Sequence, residues 1–362
     1  MNDTEWMRLA LDLAELGEGA VHPNPLVGAV VVHDGCVVGR GYHRRFGGPH
    51  AEVFALDEAA EAARAATLYV TLEPCCHHGK TPPCTDRIIA AGIRRVVLAA
   101  GDPNPAVDGG GIRCLRAAGI EVAEGVLCEE AERQNEIFFA FARRRRPFVQ
   151  LKLAISVDGR IATKAGDSRW ISSEASRIEA HRLRRRFMAV GVGVRTVLQD
   201  DPLLTVRHVV GPDPVPVVLD RIGRFPVSAR LLRAHASPIV ATASMPDTVE
   251  RELRSHGARV WRLAREDGGV DLGRLLERLA EEGIDSLLIE GGGETAAAFL
   301  DANAVDKVSL FIAPILIGGR GAVPAVGGPG VERIVDAWRL ERVAITRLGD
   351  DILYTGYPAC SR

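Results

Sequence analysis

A histidine, a glutamate and a group of cysteines in the first half of the chain have residue types that suit a catalytic metal site. His50 and Glu52 lie two residues apart, and three of the seven cysteines follow at Cys75, Cys76 and Cys84. An imidazole and two thiolates hold Zn²⁺ with one open position, where bound water reaches a pKa of about 7. A carboxylate beside that water can carry its proton to a leaving group. The pattern therefore predicts metal-assisted hydrolysis.

The order of these residues in the sequence indicates a more specific type of hydrolysis. Zinc-dependent deaminases show H-x-E followed by P-C-x-x-C, with the glutamate acting as acid and base rather than as a ligand. His50-Ala51-Glu52 supplies the first half of that pattern and Pro74-Cys75 begins the second, but the next plausible cysteine is Cys84. From the residues alone, Cys76, His77 and His78 remain competing ligands, and Cys75 with His78 could form a structural zinc pair.

Two segments of the second half have features of a phosphate-binding site. Leu287–Thr295 reads as a strand, a glycine turn and a helix, and glycines there let backbone N–H groups approach a phosphate. The loop is not G-x-G-x-x-G, so a tight strand-to-helix turn remains the alternative. Gly191–Arg207 reads as a glycine-bearing strand that ends in a charged, polar loop.

Composition excludes several classes of protein. The chain has 362 residues, of which 47% are apolar and 25% charged, enough to bury the cores of two domains. The net charge is −2, which gives no general attraction to nucleic acid or to an anionic membrane. An acidic start and short apolar runs predict neither signal peptide nor membrane span, hence a cytoplasmic protein. An odd number of cysteines does not indicate a framework of disulfide bonds.

A run of four arginines followed by Pro147 marks the predicted domain boundary. The helical stretch Glu129–Ala142 leads into Arg143–Arg146, and proline disfavours helix in the residue before it. We therefore expect domains at residues 1–146 and 147–362.

Both parts alternate strand and helix signals, as in sheets covered by helices on both faces. The elements predicted in the first part are helices at Asp3–Leu16, His50–Ala63, Thr85–Ala91 and Gly110–Ala118, and strands at Val27–Val32, Cys36–Val38, Thr67–Leu72, Arg95–Ala100 and Glu121–Val122. Those of the second part are strands at Phe148–Ile155, Met188–Val194, Val215–Asp220, Ile239–Ala243, Arg259–Leu263, Ser286–Ile289 and Lys307–Ile317, and helices at Glu174–Arg185, Thr248–His256, Gly273–Glu282 and Thr295–Ala302.

The motifs of the first half resemble a known family. His50-Ala51-Glu52 together with Thr71–Cys84 is similar to the deaminase half of the bifunctional riboflavin-biosynthesis deaminase/reductases, where the longer gap between cysteines is characteristic. His22-Pro23-Asn24-Pro25 and Gly101–Pro105 match as well, and the resemblance covers nearly the whole chain. It implies an N-terminal cytidine-deaminase-like three-layer α/β/α domain and a C-terminal dihydrofolate-reductase-like α/β domain.

The resemblance also implies roles for residues of the first half. His50, Cys75 and Cys84 would bind one Zn²⁺, and Glu52 would be the proton shuttle. Pyrimidine-pocket residues would be Asn24, Lys80, Asp102 and Asn104, with less support for His43 and Arg45.

In the second half, Leu151–Arg160 and Ser168–Ser172 resemble the reductase, and the resemblance implies NADPH as its cofactor. The implied NADPH contacts are Ala154, Trp170, Thr196, Asp200, Gly292, Gly293, Glu294, Thr295, Ala296, Ala297 and Ala298. The implied substrate contacts are Ser168, Arg184, Leu204, Arg207 and Glu290. Arg184 and Arg207 suit a sugar phosphate, because guanidinium binds phosphate oxygens in pairs. Lys152 and Glu290 both remain candidates for proton delivery.

The function implied is two steps of flavin synthesis on a small phosphorylated pyrimidine. The first is hydrolytic deamination of 2,5-diamino-6-ribosylamino-pyrimidinone 5′-phosphate by zinc-activated hydroxide. The second is reduction of the ribosyl group to ribityl by NADPH, and a homo-oligomer is expected. The alternatives are a nucleoside or tRNA-base deaminase, a zinc-stapled binding protein, and a deaminase with a degenerate reductase half.

Overall fold

The computed structural model describes residues 1–76, 82–104 and 109–359, and the contacts within it divide the chain into two units. These are Met1–Arg145 and Arg146–Arg362, and the division falls in the four-arginine run. Among the described residues, no helix combines the length and the apolar character needed to cross a membrane.

The first unit has helices on both sides of a five-stranded sheet. Its helices are α1 (Asp3–Glu15), α2 (Ala51–Ala59, extended by a 3₁₀ turn at Ala60–Ala63), α3 (Cys84–Ala90), α4 (Gly110–Ala117), α5 (Cys128–Gln134) and α6 (Glu136–Arg144). Its strands are β1 (Gly28–His33), β2 (Cys36–Tyr42), β3 (Thr67–Leu72), β4 (Arg95–Ala100) and β5 (Glu121–Ala123).

The sheet has the order β2-β1-β3-β4-β5, and only part of it is parallel. Strand β1 pairs antiparallel with β2 and β3, whereas β3, β4 and β5 run parallel. Asp34 and Gly35 both have positive φ (48° and 74°), as a two-residue hairpin turn between β1 and β2 requires.

Because side chains alternate between the two faces of the sheet, the unit has two hydrophobic cores. On one face Val31, Val70 and Leu98 pack with α2, α3 and α4, and on the other Val30 and Val97 pack with α1, α5 and α6. The resulting three layers confirm the architecture that the resemblance implies.

The helix predicted over residues 129–142 is two helices, because Asn135 interrupts it. The buried side chain of Asn135 accepts the N–H of Leu26 through Oδ1 (2.7 Å) and donates to the Leu26 carbonyl through Nδ2 (2.9 Å). These bonds tie the α5–α6 junction to the segment that carries Asn24.

The second unit is larger and is built on a nine-stranded sheet. Its strands are β6 (Phe148–Ser156), β7 (Arg160–Ala162), β8 (Ala189–Gly193), β9 (Val215–Leu219), β10 (Ile239–Thr242), β11 (Arg259–Arg262), β12 (Ser286–Ile289), β13 (Lys307–Ala313), β14 (Val323–Pro324), β15 (Leu340–Leu348) and β16 (Asp351–Pro358). Its helices are α7 (Glu174–Arg186), α8 (Val194–Asp200), α9 (Arg230–Ala234), α10 (Asp247–Ser255), α11 (Leu272–Glu281) and α12 (Gly293–Asp301), with a 3₁₀ turn at Ile334–Asp336.

The main sheet has the order β11-β10-β9-β8-β12-β6-β13-β16-β15. The strands from β11 to β13 are parallel, and β16 and β15 add an antiparallel edge. Short strands β7 and β14 pair separately. Because most of the sheet is parallel, the carboxyl ends of its central strands lie along one edge, where open α/β sheets bind ligands.

Several predicted elements of this unit differ from the structure. The charged segment after Gly193 was expected to be a loop but forms helix α8. The strand expected to reach Ile317 ends at Ala313, because Pro314 has no N–H for the ladder. The pair β15 and β16 has no counterpart among the predicted strands.

Candidate active sites

Three side chains of the first unit converge in the arrangement that a metal ion needs. Their donor atoms lie within 4.8 Å of one another: the sulfurs of Cys75 and Cys84 and a ring nitrogen of His50. His50 Nδ1 is 3.6 Å from the sulfur of Cys75 and 3.3 Å from that of Cys84. Tetrahedral Zn²⁺ with ordinary bond lengths places such atoms about 3.5 Å apart, so the site fits zinc.

The local fold explains why residues far apart in sequence meet here. His50 immediately precedes α2, Cys75 follows β3, and Cys84 is the first residue of α3. The backbone N–H of Cys84 donates to the sulfur of Cys75 at 3.4 Å. A hydrogen bond from the Cys84 thiol, opposed by burial and aided by His50, lowers the pKa of Cys75 to about 4. Cys75 is therefore prepared to bind metal as a thiolate.

The competing ligands do not join this group within the part of the chain that the structure describes. Cys76 points elsewhere, because its sulfur packs against Gly110 at the start of α4. His77 and His78 lie outside the described residues, so the alternative pair of Cys75 with His78 stays untested.

Glu52 stands in the first turn of α2 and is almost fully buried, at 3% exposure. Burial raises its pKa above the usual range for a carboxyl group. Its Oε2 makes no hydrogen bond to any described residue. A buried carboxylate oxygen without a partner is rare, and here it lies in the wall of a cavity beside the metal ligands.

That cavity has a volume of about 200 Å³ and brings together most of the residues expected around the pyrimidine. Its lining includes Asn24, His43, Asp102 and Asn104, together with Phe138 from α6. Lys80 lies outside the described residues. No signal in the sequence distinguished Phe138 from an ordinary apolar residue of an amphipathic helix.

His43 orients the amide of Asn24. Its Nδ1 is 3.0 Å from the Pro49 carbonyl and its Nε2 is 3.1 Å from Nδ2 of Asn24. Burial lowers the pKa of His43, which favours the neutral ring. A neutral ring that donates from Nδ1 accepts at Nε2, so Asn24 Nδ2 is the donor in this pair. Arg45 is exposed and does not line the cavity.

Glu73, at the end of β3, has a supporting role that the sequence did not predict. Its buried carboxylate accepts the backbone N–H groups of Gly109 (2.9 Å) and Ile112 (3.1 Å), around the first turn of α4. The partners are separated by more than thirty residues in sequence, so no local motif reveals the contact.

A second cavity, of about 540 Å³, lies in the second unit at the carboxyl ends of the parallel strands. It is lined by most of the predicted cofactor and substrate residues, namely Ala154, Ser168, Thr196, Asp200, Glu290, Gly292, Gly293, Glu294 and Thr295.

Two helices begin at this cavity, and glycines make room for them. A Cβ on Gly193 would lie 2.6 Å from Thr295 Oγ1, and one on Gly293 would lie 2.5 Å from the Pro324 carbonyl oxygen. Gly292, by contrast, has open space on its cavity side. No side chain caps α8 or α12, so their first N–H groups are available to a pyrophosphate. The cradle fits a dinucleotide.

Buried charges meet at one end of the cavity. Arg184 holds Glu290 through two hydrogen bonds, Nε to Oε1 at 2.6 Å and Nη2 to Oε2 at 3.0 Å, and Lys152 Nζ lies 3.7 Å from Oε2. Burial alone would raise the pKa of Glu290, but Arg184 and Lys152 outweigh it and hold that pKa at about 2. Burial lowers the pKa of Lys152.

Arg207 and Leu204 lie near this cluster rather than on the cavity wall. The Arg207 N–H donates to Nδ1 of His181 (3.1 Å), and its Nη1 donates to Thr205 Oγ1 (3.1 Å). Arg184 also donates to the Thr205 carbonyl, at 3.0 Å. Leu204 is buried in the core and has a positive φ of 56°.

The structure does not place the remaining predicted cofactor residues in the cavity wall. Trp170 is 70% exposed, and the Arg177 guanidinium lies over its ring at 4.8 Å. Ala296 and Ala297 face the core from α12, and Ala298 is exposed. The wall also contains Arg195, Arg221 and Arg224, which the sequence did not single out as ligand contacts.

Comparison with known proteins agrees with both sites. Residues 1–100 match the family profile described as the cytidine and deoxycytidylate deaminase zinc-binding region, and residues 147–354 match the RibD C-terminal domain. The riboflavin biosynthesis protein RibD of Aquifex aeolicus is 45% identical over 97% of both chains. That of Escherichia coli is 40% identical over 97% of this chain and 98% of its own.

Solved structures extend the similarity to the whole fold. RibD of Acinetobacter baumannii superposes with a TM-score of 0.89 at 36% identity, covering 99% of both chains. A Thermotoga maritima diaminohydroxyphosphoribosylaminopyrimidine deaminase/5-amino-6-(5-phosphoribosylamino)uracil reductase gives 0.86 at 39% identity, with the same coverage. The resemblance inferred from the motifs is thus confirmed. The chain belongs to the RibD family of bifunctional riboflavin-biosynthesis enzymes, which joins a zinc-binding deaminase domain to a reductase domain.

Proposed function

We propose that residues 1–146 deaminate the diaminopyrimidinone ribosylamine 5′-phosphate to the corresponding 5-aminouracil, and that residues 147–362 reduce its ribosyl group to ribityl with NADPH. The observation that supports the proposed deamination is that buried Glu52 has an unpartnered carboxylate oxygen and lines the same cavity as the metal-ligand residues His50 and Cys75. A structural zinc site needs no such carboxylate.

In the deamination, His50, Cys75 and Cys84 hold the metal and Glu52 moves the proton. Zinc, when bound, supplies Lewis-acid activation of the attacking water. Glu52 would take one proton from the attacking water and deliver it to the ring nitrogen, and would then move a second proton, from the hydroxyl formed on the ring carbon, to the amine that leaves as ammonia. Its burial supports this task, because a raised pKa makes the carboxylate a stronger base toward the water proton.

Recognition of the pyrimidine rests on the orientation of Asn24. Since Nδ2 donates to His43, the Oδ1 of Asn24 is left to accept an N–H of the ring. Asp102 and Asn104 line the same cavity. We propose that Lys80 also binds the substrate.

In the reduction, the second unit aligns a hydride donor with the sugar C1 and supplies a proton to the oxygen released when the ring opens. We assign that proton to Lys152 rather than to Glu290. The pKa of Glu290 is held at about 2, so it has no proton to give at neutral pH. Ser168, Arg207 and the Leu204 backbone would hold the sugar phosphate, while Arg184 fixes Glu290.

We also propose that the protein self-associates and that it is located in the cytoplasm. The edge strand β15 has Val343 and Ile345 exposed to 44% and 67%, a surface that a second copy can cover. The cysteines of the described residues are all free, as expected for a thiolate metal site in a reducing compartment.

The metal site can be tested by replacing one ligand in the full chain. Cys84→Ser should lower the zinc content from one per chain and abolish deamination, whereas the half-buried Cys128→Ser on α5 should leave both unchanged. Zinc content is measured by atomic absorption and folding by circular dichroism. Full deaminase activity in zinc-free Cys84→Ser protein would contradict the assignment.

A further inference from the structure

A short two-stranded ribbon forms part of the wall of the cavity in the second unit. Strand β7 pairs antiparallel with β14, with Ala162 opposite Val323 and Arg160 opposite Pro324, and the two strands form a sheet of their own. Ile161, Ala162, Val323 and Pro324 all line the cavity. A ribbon of only two strands is marginally stable by itself. Other contacts must therefore hold it in the position that shapes the cavity.

The chain just after β14 is anchored on the start of α12. A Cβ on Gly293 would meet the Pro324 carbonyl oxygen, which shows how closely the two segments approach. The N–H of Gly327 donates to the Gly293 carbonyl at 2.9 Å. The stretch before β14, residues 314–322, needs a second anchor.

Asp158, in the turn that joins β6 to β7, supplies that second anchor. Its Oδ1 accepts the N–H of Ile317 at 3.1 Å, and its Oδ2 accepts the N–H of Gly318 at 2.7 Å. Ser156 Oγ donates to Oδ1 at 2.6 Å. Together these hydrogen bonds lower the pKa of Asp158 to about 2, so the side chain is ionised at neutral pH. Two successive backbone N–H groups that point at one carboxylate form a concave site that favours an anion.

Backbone hydrogen bonds extend the same contact on both sides of Asp158. The N–H of Val157 donates to the Ile315 carbonyl at 2.9 Å, and the N–H of Ala325 donates to the Gly159 carbonyl at 3.0 Å. The turn after β6 is thus joined to the chain before β14 and to the chain after it. Asp158 does not line the cavity itself, so any effect it has on a bound ligand passes through the ribbon.

The position of Asp158 separates this contact from the hydrophobic core. Both Asp158 and Gly318 are exposed, and neither belongs to a core cluster of the second unit. A contact between two surface loops can open locally without unfolding the sheet beneath it. Loss of the carboxylate should therefore loosen the ribbon and leave the global stability of the unit nearly unchanged.

We propose that Asp158 is a positioning residue of the reductase, whose carboxylate joins residues 317 and 318 to the β6–β7 turn and so holds the β7–β14 ribbon against the bound dinucleotide. The inference rests on the proposed reductase function, because it takes the cavity to bind that cofactor.

The test compares binding, turnover and local opening in the full-length protein. The variants are Asp158→Ala, which removes both acceptor oxygens, and Asp158→Asn, which keeps one. Asp350→Asn is the matched control, because Asp350 is an exposed aspartate in the turn between β15 and β16 and does not line the cavity. The Kd for NADPH is measured by isothermal titration, and KM and kcat are measured with the 5-aminouracil substrate. Trypsin cleavage after the exposed Arg320 reports on opening of the segment.

Asp158→Ala should raise the Kd and the KM for NADPH about tenfold, and Asp158→Asn should raise them by a smaller factor. The kcat at saturating NADPH should stay within about twofold of the wild type, because bound cofactor restores the ribbon. Cleavage after Arg320 should be faster in Asp158→Ala than in the wild type, and NADPH should slow it. Melting temperatures and the control variant should match the wild type.

Two results would overturn the positioning role while the reductase stands. One is an unchanged Kd and KM for NADPH in Asp158→Ala, whatever the rate of cleavage. The other is a parallel fall of melting temperature and kcat in both variants, which would assign Asp158 to general stability. If the wild-type protein binds no NADPH, the proposed reductase function falls, and the role of Asp158 falls with it.

Discussion

Three charged side chains are buried together in the reductase domain, and their charges do not cancel. Lys152 and Arg184 are basic, and Glu290 pairs with both, while the exposed Asp213 adds an attraction on Arg184 from outside the cluster. A buried charge without a partner is costly, so the cluster is most stable when Lys152 gives up its proton or when an anionic ligand arrives. Both events belong to the proposed reduction, in which Lys152 donates a proton near a sugar phosphate.

His181 belongs to the same surroundings and should report on them through pH. Burial and the nearby charge of Arg184 lower the pKa of His181 to about 4. The unfolded chain binds a proton at this histidine below about pH 6.5, whereas the folded chain does so only near pH 4, so its contribution to stability rises with pH between these values. His181→Asn keeps an acceptor for the Arg207 N–H and should lack this rise.

The measurement is the melting temperature of both proteins between pH 4 and pH 7. As the pH increases, the melting temperature of the wild type should rise relative to that of His181→Asn. The control His256→Asn, which replaces an exposed histidine at the end of α10, should show the same pH dependence as the wild type. Parallel curves for wild type and His181→Asn would show that the histidine titrates normally.

At the scale of elements, sequence patterns brought the candidate site residues together but did not predict all of the strands. The convergence of His50, Cys75 and Cys84 could be predicted because each adjoins a strong local signal, as in Pro83 before α3. The interruption at Asn135 could not, because its cause is a distant contact with Leu26. Strands β15 and β16 were not predicted because β15 is exposed, so its alternating residues mark no buried face.

The start of α12 offers a direct test of why glycines are needed there. Gly293→Ala should lower stability by about 1–3 kcal/mol, because its methyl group meets the Pro324 carbonyl. Gly292→Ala should keep the wild-type melting temperature but weaken nucleotide binding, because its methyl group enters the cavity. Calorimetry and nucleotide titration separate the two effects. Equal melting temperatures for both variants would contradict the packing argument.

At the scale of the whole molecule, each domain has its own sheet and its own catalytic machinery. The deaminase sheet is packed on both faces by helices of Met1–Arg145, and the described residues that line the reductase cavity all belong to Arg146–Arg362. The metal ligands all belong to the first unit. We therefore expect the reduction not to require the metal ion of the first unit.

Removing zinc should separate the two activities. After chelation, the full chain should lose deamination but still oxidise NADPH when given the 5-aminouracil substrate, and adding zinc should restore deamination. Both rates are followed in the same preparation, by ultraviolet absorbance for the pyrimidine and at the NADPH band for the reduction. Loss of both rates on chelation would show that reduction depends on the metal site.

The central claim is that Glu52 drives deamination, which then feeds the reductase. Its most direct test is NADPH oxidation by the full chain given the diaminopyrimidinone ribosylamine phosphate, for wild type, Glu52→Gln and the surface control Glu61→Gln. We expect oxidation by the wild type and the control, and none by Glu52→Gln, which should retain zinc and recover full oxidation when supplied with the deaminated uracil. Oxidation by Glu52→Gln from the diamino substrate at the wild-type rate would contradict the account.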